Sequence, residues 1–183
     1  MKARAMPEQP GFARRIAVVA GLLVGVVGCG ATVVGPPILG GGRHALIEKL
    51  DVSLKIPVGM DRKKPHVWTL DAGGVRHAML WVERKKLPET GAKGWVDAAA
   101  KRMGSSGMAG LIRREVVMIG DLDAHLLESI TLLGRQRRAA MQLVAGAEDG
   151  LYVVSVLATL DTMKRNHKAF EKALRSTRIP RRQ

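Results

Sequence analysis

The sequence predicts an α+β domain, an antiparallel sheet of about six to seven strands covered by two helices. Three observations carry that reading. Short runs alternate apolar and polar residues with period two, as half-buried strands do. Turn residues separate the later runs at regular spacing, which suits an antiparallel meander. Two segments, one central and one terminal, switch to helical period, and a one-sided sheet needs such helices as cover. The chain has 183 residues and is 46% hydrophobic, enough for one domain with a core plus a targeting segment. Aromatic residues make up only 3%, so that core must rest on Leu, Val, Ile, Met and Ala.

Residues 2–15 are polar and basic and end in Arg14-Arg15, and Ile16–Gly28 (IAVVAGLLVGVVG) carries no charge. A basic flank, a short apolar run and a small residue before a cut site form the secretory pattern, so residues 1–28 read as a signal peptide. The next residue is the only cysteine, Cys29. The stretch Val26-Val27-Gly28-Cys29 resembles the lipobox of bacterial lipoproteins. That resemblance implies a diacylglyceryl thioether on Cys29, cleavage before it and an acylated amino terminus, palmitate being the familiar chain. Several acyl chains anchor a protein stably, at about 0.8 kcal/mol per buried CH₂. The alternative is an uncut helix, because Ile16–Leu39 is long and apolar enough to span a bilayer, although Gly25, Gly28, Gly30 and Pro36-Pro37 interrupt it. Either way Arg14 and Arg15 hold the amino terminus inside and place the rest outside the cytoplasm. Residues 29–45, with Pro36-Pro37 and Gly40–Gly42, read as a lipidated tether. Residues 46–179 read as the folded domain, and residues 180–183 as a basic tail.

Within the domain, Asp51–Pro57 (DVSLKIP) sets Val52, Leu54 and Ile56 on one face and ends at proline, a half-buried strand. His66–Asp71 and Val75–Glu83 flank Gly73-Gly74 and read as a hairpin. From Gly94 to Met103 the period lengthens: Trp95, Ala99 and Met103, with Val96 and Ala100 beside them, make a helical stripe that Ser105-Ser106-Gly107 ends. Ile112–Ile119, Ala124–Leu133, Arg137–Ala145 and Leu151–Thr159 then read as four consecutive strands, the last pair joined at Glu148-Asp149-Gly150. Asp161 or Thr162 is expected to cap a closing helix that runs to about Thr177, with Phe170, Ala173 and Leu174 inward.

This order of elements resembles the PsbP-like fold of photosystem lumenal proteins, the DcrB type of envelope lipoprotein and mycobacterial lipoproteins of the LpqN type. The residues that carry it are the opening strand with its proline (VSLKIPVGM), the central helix, and the closing helix with its serine (HKAFEKALRSTRI). It covers about Leu46–Ile179. It implies a scaffold or accessory role and no particular site residue.

The chemistry-bearing residues are sparse. Asp123, His125 and Ser129 form the best enzyme-like set, but two residues four apart on one strand lie roughly 13 Å apart, too far for a nucleophile–base hydrogen bond. They read as polar residues on a solvated face, and no catalytic residue is assigned. His44, His66, His77, His125 and His167 lack chelating spacing, and a single cysteine excludes a thiolate cluster and an internal disulfide. No metal or cofactor site is expected, and Gly40–Gly42 reads as linker. His167, near the apolar stripe of the last helix, reads as a packing residue. Trp68, Trp81 and Trp95 read as core.

Charge is the stronger signal. The net charge is +14, and only Lys2, Arg4, Arg14 and Arg15 of the basic residues precede Cys29. Arg62-Lys63-Lys64 and Arg84-Lys85-Lys86 are expected to meet at one end of the sheet. Arg135, Arg137 and Arg138, like Arg113-Arg114, lie at later strand ends. These are candidate contacts to an anionic surface, at about 1 kcal/mol per basic residue close to anionic lipid. Nucleic acid is not expected as a partner, because export removes it and no stacking platform is interleaved with the charge. The reading is a non-catalytic envelope lipoprotein of binding or assembly type, held by its lipid anchor at the outer membrane or the periplasmic face of the inner membrane. Gly30 after the cysteine favours the outer membrane. The alternatives are electrostatic docking on anionic lipid or cell-wall polymer, and a hydrolase using Asp123, His125 and Ser129.

Overall fold

The structure, a computed structural model, describes residues 37–106 and 109–179. The expected signal peptide, Cys29 and the basic tail lie outside the described residues. The elements run β1 (Gly42–Ile47), β2 (Val52–Pro57), β3 (Asp61–Lys64), β4 (Val67–Ala72), β5 (Val75–Lys85), α1 (Gly91–Ser106), β6 (Ala109–Ile119), β7 (Leu122–Leu133), β8 (Gln136–Ala147), β9 (Gly150–Thr159) and α2 (Leu160–Arg175). A 3₁₀ turn at Glu48–Leu50 joins the first two strands. Seven strands form one sheet in the order β3-β4-β5-β9-β8-β7-β6, and β1-β2 form a separate two-stranded sheet. Every pairing is antiparallel. The α+β class and the four-strand meander follow the sequence expectation.

Two elements do not. The chain is already a strand at Gly42, inside the segment expected to be tether, and Leu39 is buried. Asn166 of α2 holds this entry from both sides: its Oδ1 accepts from Leu39 N at 2.7 Å and its Nδ2 donates to Pro37 O at 3.0 Å. The strand β2 alternates as expected but pairs with β1 and stays out of the main sheet, whose outer place is taken by β3.

The large core lies between one face of the main sheet, α2 and the β1-β2 pair, with Trp68, Leu126, Leu143, Val156 and Phe170 at its centre. α2 starts at Thr159, whose hydroxyl accepts from Thr162 N. The expected caps, Asp161 and Thr162, therefore sit inside the first turn, because the strand runs directly into the helix. Ser176 closes it: its Oγ donates to Ala173 O at 2.6 Å and accepts from Lys55 N of β2 at 2.7 Å. Arg178 then exchanges two backbone bonds with Ser53. The far face of the sheet carries a smaller cluster of Val96, Leu127, Val144, Leu151 and Val153 under α1. That helix packs mainly across β6, β7 and β8, so among the described residues no helix lies over most of the β4-β5-β9 part of this face.

Register at the hairpins depends on glycine. Gly73 and Gly74 both take positive φ (56° and 73°), which lets a two-residue turn follow the twist of β4 and β5. Gly150 opens β9 where an added Cβ would lie 2.8 Å from Lys85 O.

Candidate functional site

The side chains at residues 125 and 129 lie on the α1 face of β7 and are buried there, contrary to the solvated face expected. The reason is α1, which the sequence predicts as a helix but cannot place over that strand. His125 is 7% exposed, and its Nδ1 has no hydrogen-bond partner. Burial lowers the His125 pKa below its ordinary value, and nearby Arg114 acts in the same direction. Asp123 is exposed at the start of the strand, and no hydrogen bond joins the three residues among those described. A neutral imidazole enclosed by Leu127 and Val144 is packing with an unmet polar atom; it is not a general base beside a nucleophile.

The basic residues divide between the two ends of the sheet. Pairing of Lys64 with Val67 and of Val67 with Trp81 brings the end of β3 alongside the end of β5, so Arg62-Lys63-Lys64 and Arg84-Lys85-Lys86 share one end. Arg138 pairs with Thr159 at the opposite end of the ladder, next to Arg135 and Arg137 in the β7-β8 turn. Several of these cations are already engaged. Lys63 meets Asp71 at 3.6 Å, Lys85 meets Glu83 at 3.0 Å, and Arg84 meets Asp149 at 2.8 Å. The Arg62 guanidinium lies over Trp68 and the Lys85 ammonium over Trp95. Arg138 is buried, unlike the exposed Arg135 and Arg137. The nine candidate contacts therefore do not make one plane of charge.

A charge network that linear reading missed joins α2 to β6 and β7. Arg113 bonds Glu115 and Glu128, Arg175 bonds Glu115 and Glu171, and His167 Nε2 lies 3.1 Å from Glu128 Oε2. His167 is thus half-exposed and polar in its contacts, not a packing residue. The only sequence trace was the i,i+4 spacing of His167, Glu171 and Arg175 on one helix. Only Trp68 of the three tryptophans is fully buried; Trp81 and Trp95 are half-buried on the α1 face. Among the described residues no group of three or more His, Cys, Asp and Glu could hold a metal ion.

The two edges of the main sheet are unlike. β3 (DRKK) presents four charged, exposed residues, the usual defence of an edge against foreign strands. β6 is an eleven-residue edge strand on which Ile112, Val116 and Met118 are 61%, 61% and 59% exposed. A bulge between Leu111 and Arg113 interrupts its pairing with β7, and from Arg113 to Ile119 the ladder is regular. Val116 and Met118 pair with His125 and Asp123, so they stand on the α1 face beyond that helix. Sequence reading marked Ile112–Ile119 as a strand but could not tell that it lies at an edge.

No family model and no curated protein matches the sequence. Solved structures do. The solution structure of cyanobacterial PsbP (CyanoP) from Synechocystis is similar over 85% of this chain and all of that one, at 20% identity and a TM-score of 0.54. The crystal structure of PA94, a protein of unknown function from Pseudomonas aeruginosa, covers 79% of this chain and all of that one, at 16% identity and a TM-score of 0.52. Identities this low bear on the fold alone: the domain has a PsbP-like α+β fold.

Proposed function

We propose that the chain is an exported, membrane-held protein whose PsbP-like domain binds a partner and performs no chemistry. The observation that carries this reading is the unlike pair of sheet edges. One is short and fully charged; the other is long, with apolar side chains exposed beside backbone groups that no described strand pairs. Such an edge accepts an extended segment of another protein, backbone bonds supplying affinity and the alternate side chains specificity. Solvation of this much apolar edge is a liability that an isolated domain normally avoids.

The anchor completes the proposal. Cys29 after Val26-Val27-Gly28 would be the lipidated residue, and Leu39 would leave the bilayer side already bound to the domain. Cys29 and Leu39 are close in the sequence, which would mount the domain near the cell envelope. Intact mass of membrane-extracted protein tests the anchor: a species beginning at Cys29 with added lipid mass, lost in Cys29→Ser, is expected. A chain still carrying residues 1–28 would replace the lipid by an uncut helix. A photo-crosslinker at Val116 tests the binding edge in intact cells. Adducts are expected at Val116 and not at Lys63 on the opposite edge; equal adducts at both would remove the edge from the proposal.

The rival reading is docking on anionic lipid by charge. Lys64 and Lys86, without ion pairs among the described residues, share the end of the sheet that would face such a surface. An unlipidated chain released from anionic vesicles by salt, with no loss on Val116→Lys, would favour that rival.

A further inference from the structure

Arg138 breaks the pattern of the other sheet arginines. Arg84, Arg113, Arg114 and Arg175 each meet at least one carboxylate. Arg138 meets none among the described residues and is only 8% exposed. Of its five N–H donors, one bonds to Gln136 Oε1 at 2.7 Å. The residue keeps a small exposed area, and none of its nitrogens is both fully enclosed and without a partner. Burial pulls its pKa below the ordinary arginine value, with no acidic neighbour acting against it. A buried, unmatched cation is costly, and a fold has no reason to keep one where an apolar side chain would pack.

The surroundings indicate what would match it. Arg138 pairs with Thr131 and Thr159, so it stands on the α1 face, six residues along β8 from Val144 in the helix-covered cluster. In the part of that face over which no described helix lies, Ala140 pairs with Leu157, Leu157 with Met79, and Ser155 with Trp81. Ala140, Leu157, Met79 and Trp81 are each half-buried. A cation at one end of an apolar strip fits a molecule with an anion at one end of an apolar body. The anion should be a single charge, because a dianion would leave excess charge in a largely buried seat. It should also be planar, because the guanidinium fork pairs two parallel N–H groups with two coplanar oxygens.

We propose that Arg138 seats the carboxylate of a small amphiphilic acid whose apolar body lies along Ala140, Leu157, Met79 and Trp81. The site is separate from the β6 edge, and the failure of either leaves the other standing.

The test is the thermal unfolding midpoint of the full chain in phosphatidylcholine nanodiscs, read by protease resistance. The probe is 4-phenylbutanoate, with 4-phenylbutan-1-ol and inorganic phosphate at matched ionic strength as the other arms. Only the carboxylate is expected to raise the midpoint, by about 4 °C when it is present tenfold above its dissociation constant. Arg138→Met should begin at the same or a higher midpoint, since it removes an unmatched buried charge, and should lose the shift. Arg137→Met removes an equal charge from an exposed neighbour and should keep it. No shift in the wild type, an undiminished shift in Arg138→Met, or an equal shift with phosphate or the alcohol overturns the proposal. Should Arg138→Met fail to fold, Arg138→Lys decides. It keeps the charge and loses the fork, so the shift must shrink by at least about half, and an unchanged shift overturns the site.

Discussion

At the scale of single residues, the buried polar atoms without partners make the sharpest predictions. His125 is held neutral beneath α1, and its pKa is lowered from 6.5 by burial, with Arg114 and Lys93 adding to that and Asp97 and Asp123 opposing it. Below pH 6.5 the unfolded chain takes up a proton that the folded chain resists, so stability must fall as pH drops through that value. The carboxylates with altered titration, Asp71, Asp97 and Glu115, are lowered by their arginine partners and act at more acid pH. Between pH 7.5 and 5 the decline should therefore belong largely to His125. Urea unfolding at both pH values checks it: the decline is expected in the wild type and should be mostly absent in His125→Leu. Among the described residues Thr177 Oγ1 is the other enclosed side-chain atom with no partner. Thr177→Val should be neutral or stabilising by up to about 1 kcal/mol, since it removes a polar group that makes no bond, and a loss greater than that would show a partner the geometry does not contain.

At the scale of elements, what the sequence reveals depends on which side of an element faces water. α2 was legible because Phe170, Ala173 and Leu174 recur at helical spacing and all three are buried. The meander strands were legible as apolar runs of strand length bounded by turn residues, β9 being buried on both faces. β3 was not, since Asp61, Arg62, Lys63 and Lys64 are all exposed and only backbone pairing holds them in the sheet. β1 was hidden similarly: His44 and Leu46 face solvent, and the glycines before them resemble a linker. The buried site residues were illegible for a different reason. Nothing in the period of β7 says that α1 will cross residues 125 and 129, or that Arg138 will be enclosed where Arg137 is not. The entry of the chain makes a prediction at this scale. The Asn166 side chain holds both Pro37 O and Leu39 N. Asn166→Ala should cost about 1–3 kcal/mol, the penalty for leaving buried backbone groups unmatched. Hydrogen exchange at the Leu39 amide should accelerate far more than in the β7-β8 ladder; equal acceleration everywhere would mean that the bond supports the whole fold and not the entry alone.

For the whole molecule, the question is why an exposed edge strand stays ordered without a neighbour. β6 is fastened from one side only. Its Arg113 and Glu115 join the network with Glu128, Glu171 and Arg175, while Val117 and Ile119 enter the core. Its Arg114 is tied to Asp97 of α1, a pairing that also lowers the pKa of that carboxylate. The strand is thus pinned by ionic contacts across both faces, and its outer edge and the exposed side chains of Val116 and Met118 contribute little to the fold. That separation is what a preformed docking strip needs, because its apolar side chains can be given to a partner without loosening the domain. It leads to a paired expectation for Val116→Lys combined with Met118→Lys. Stability should change by less than about 0.5 kcal/mol, as for exposed residues away from buried features. Self-association at high concentration and crosslinking at the β6 edge should both fall, because charge on an edge strand opposes pairing with another chain. Sedimentation beside urea unfolding separates the two effects. If the double variant loses substantial stability, Val116 and Met118 are structural and β6 is no free edge. If stability and crosslinking are both unchanged, the apolar flank takes no part in binding, and the partner must be sought on the basic ends of the sheet.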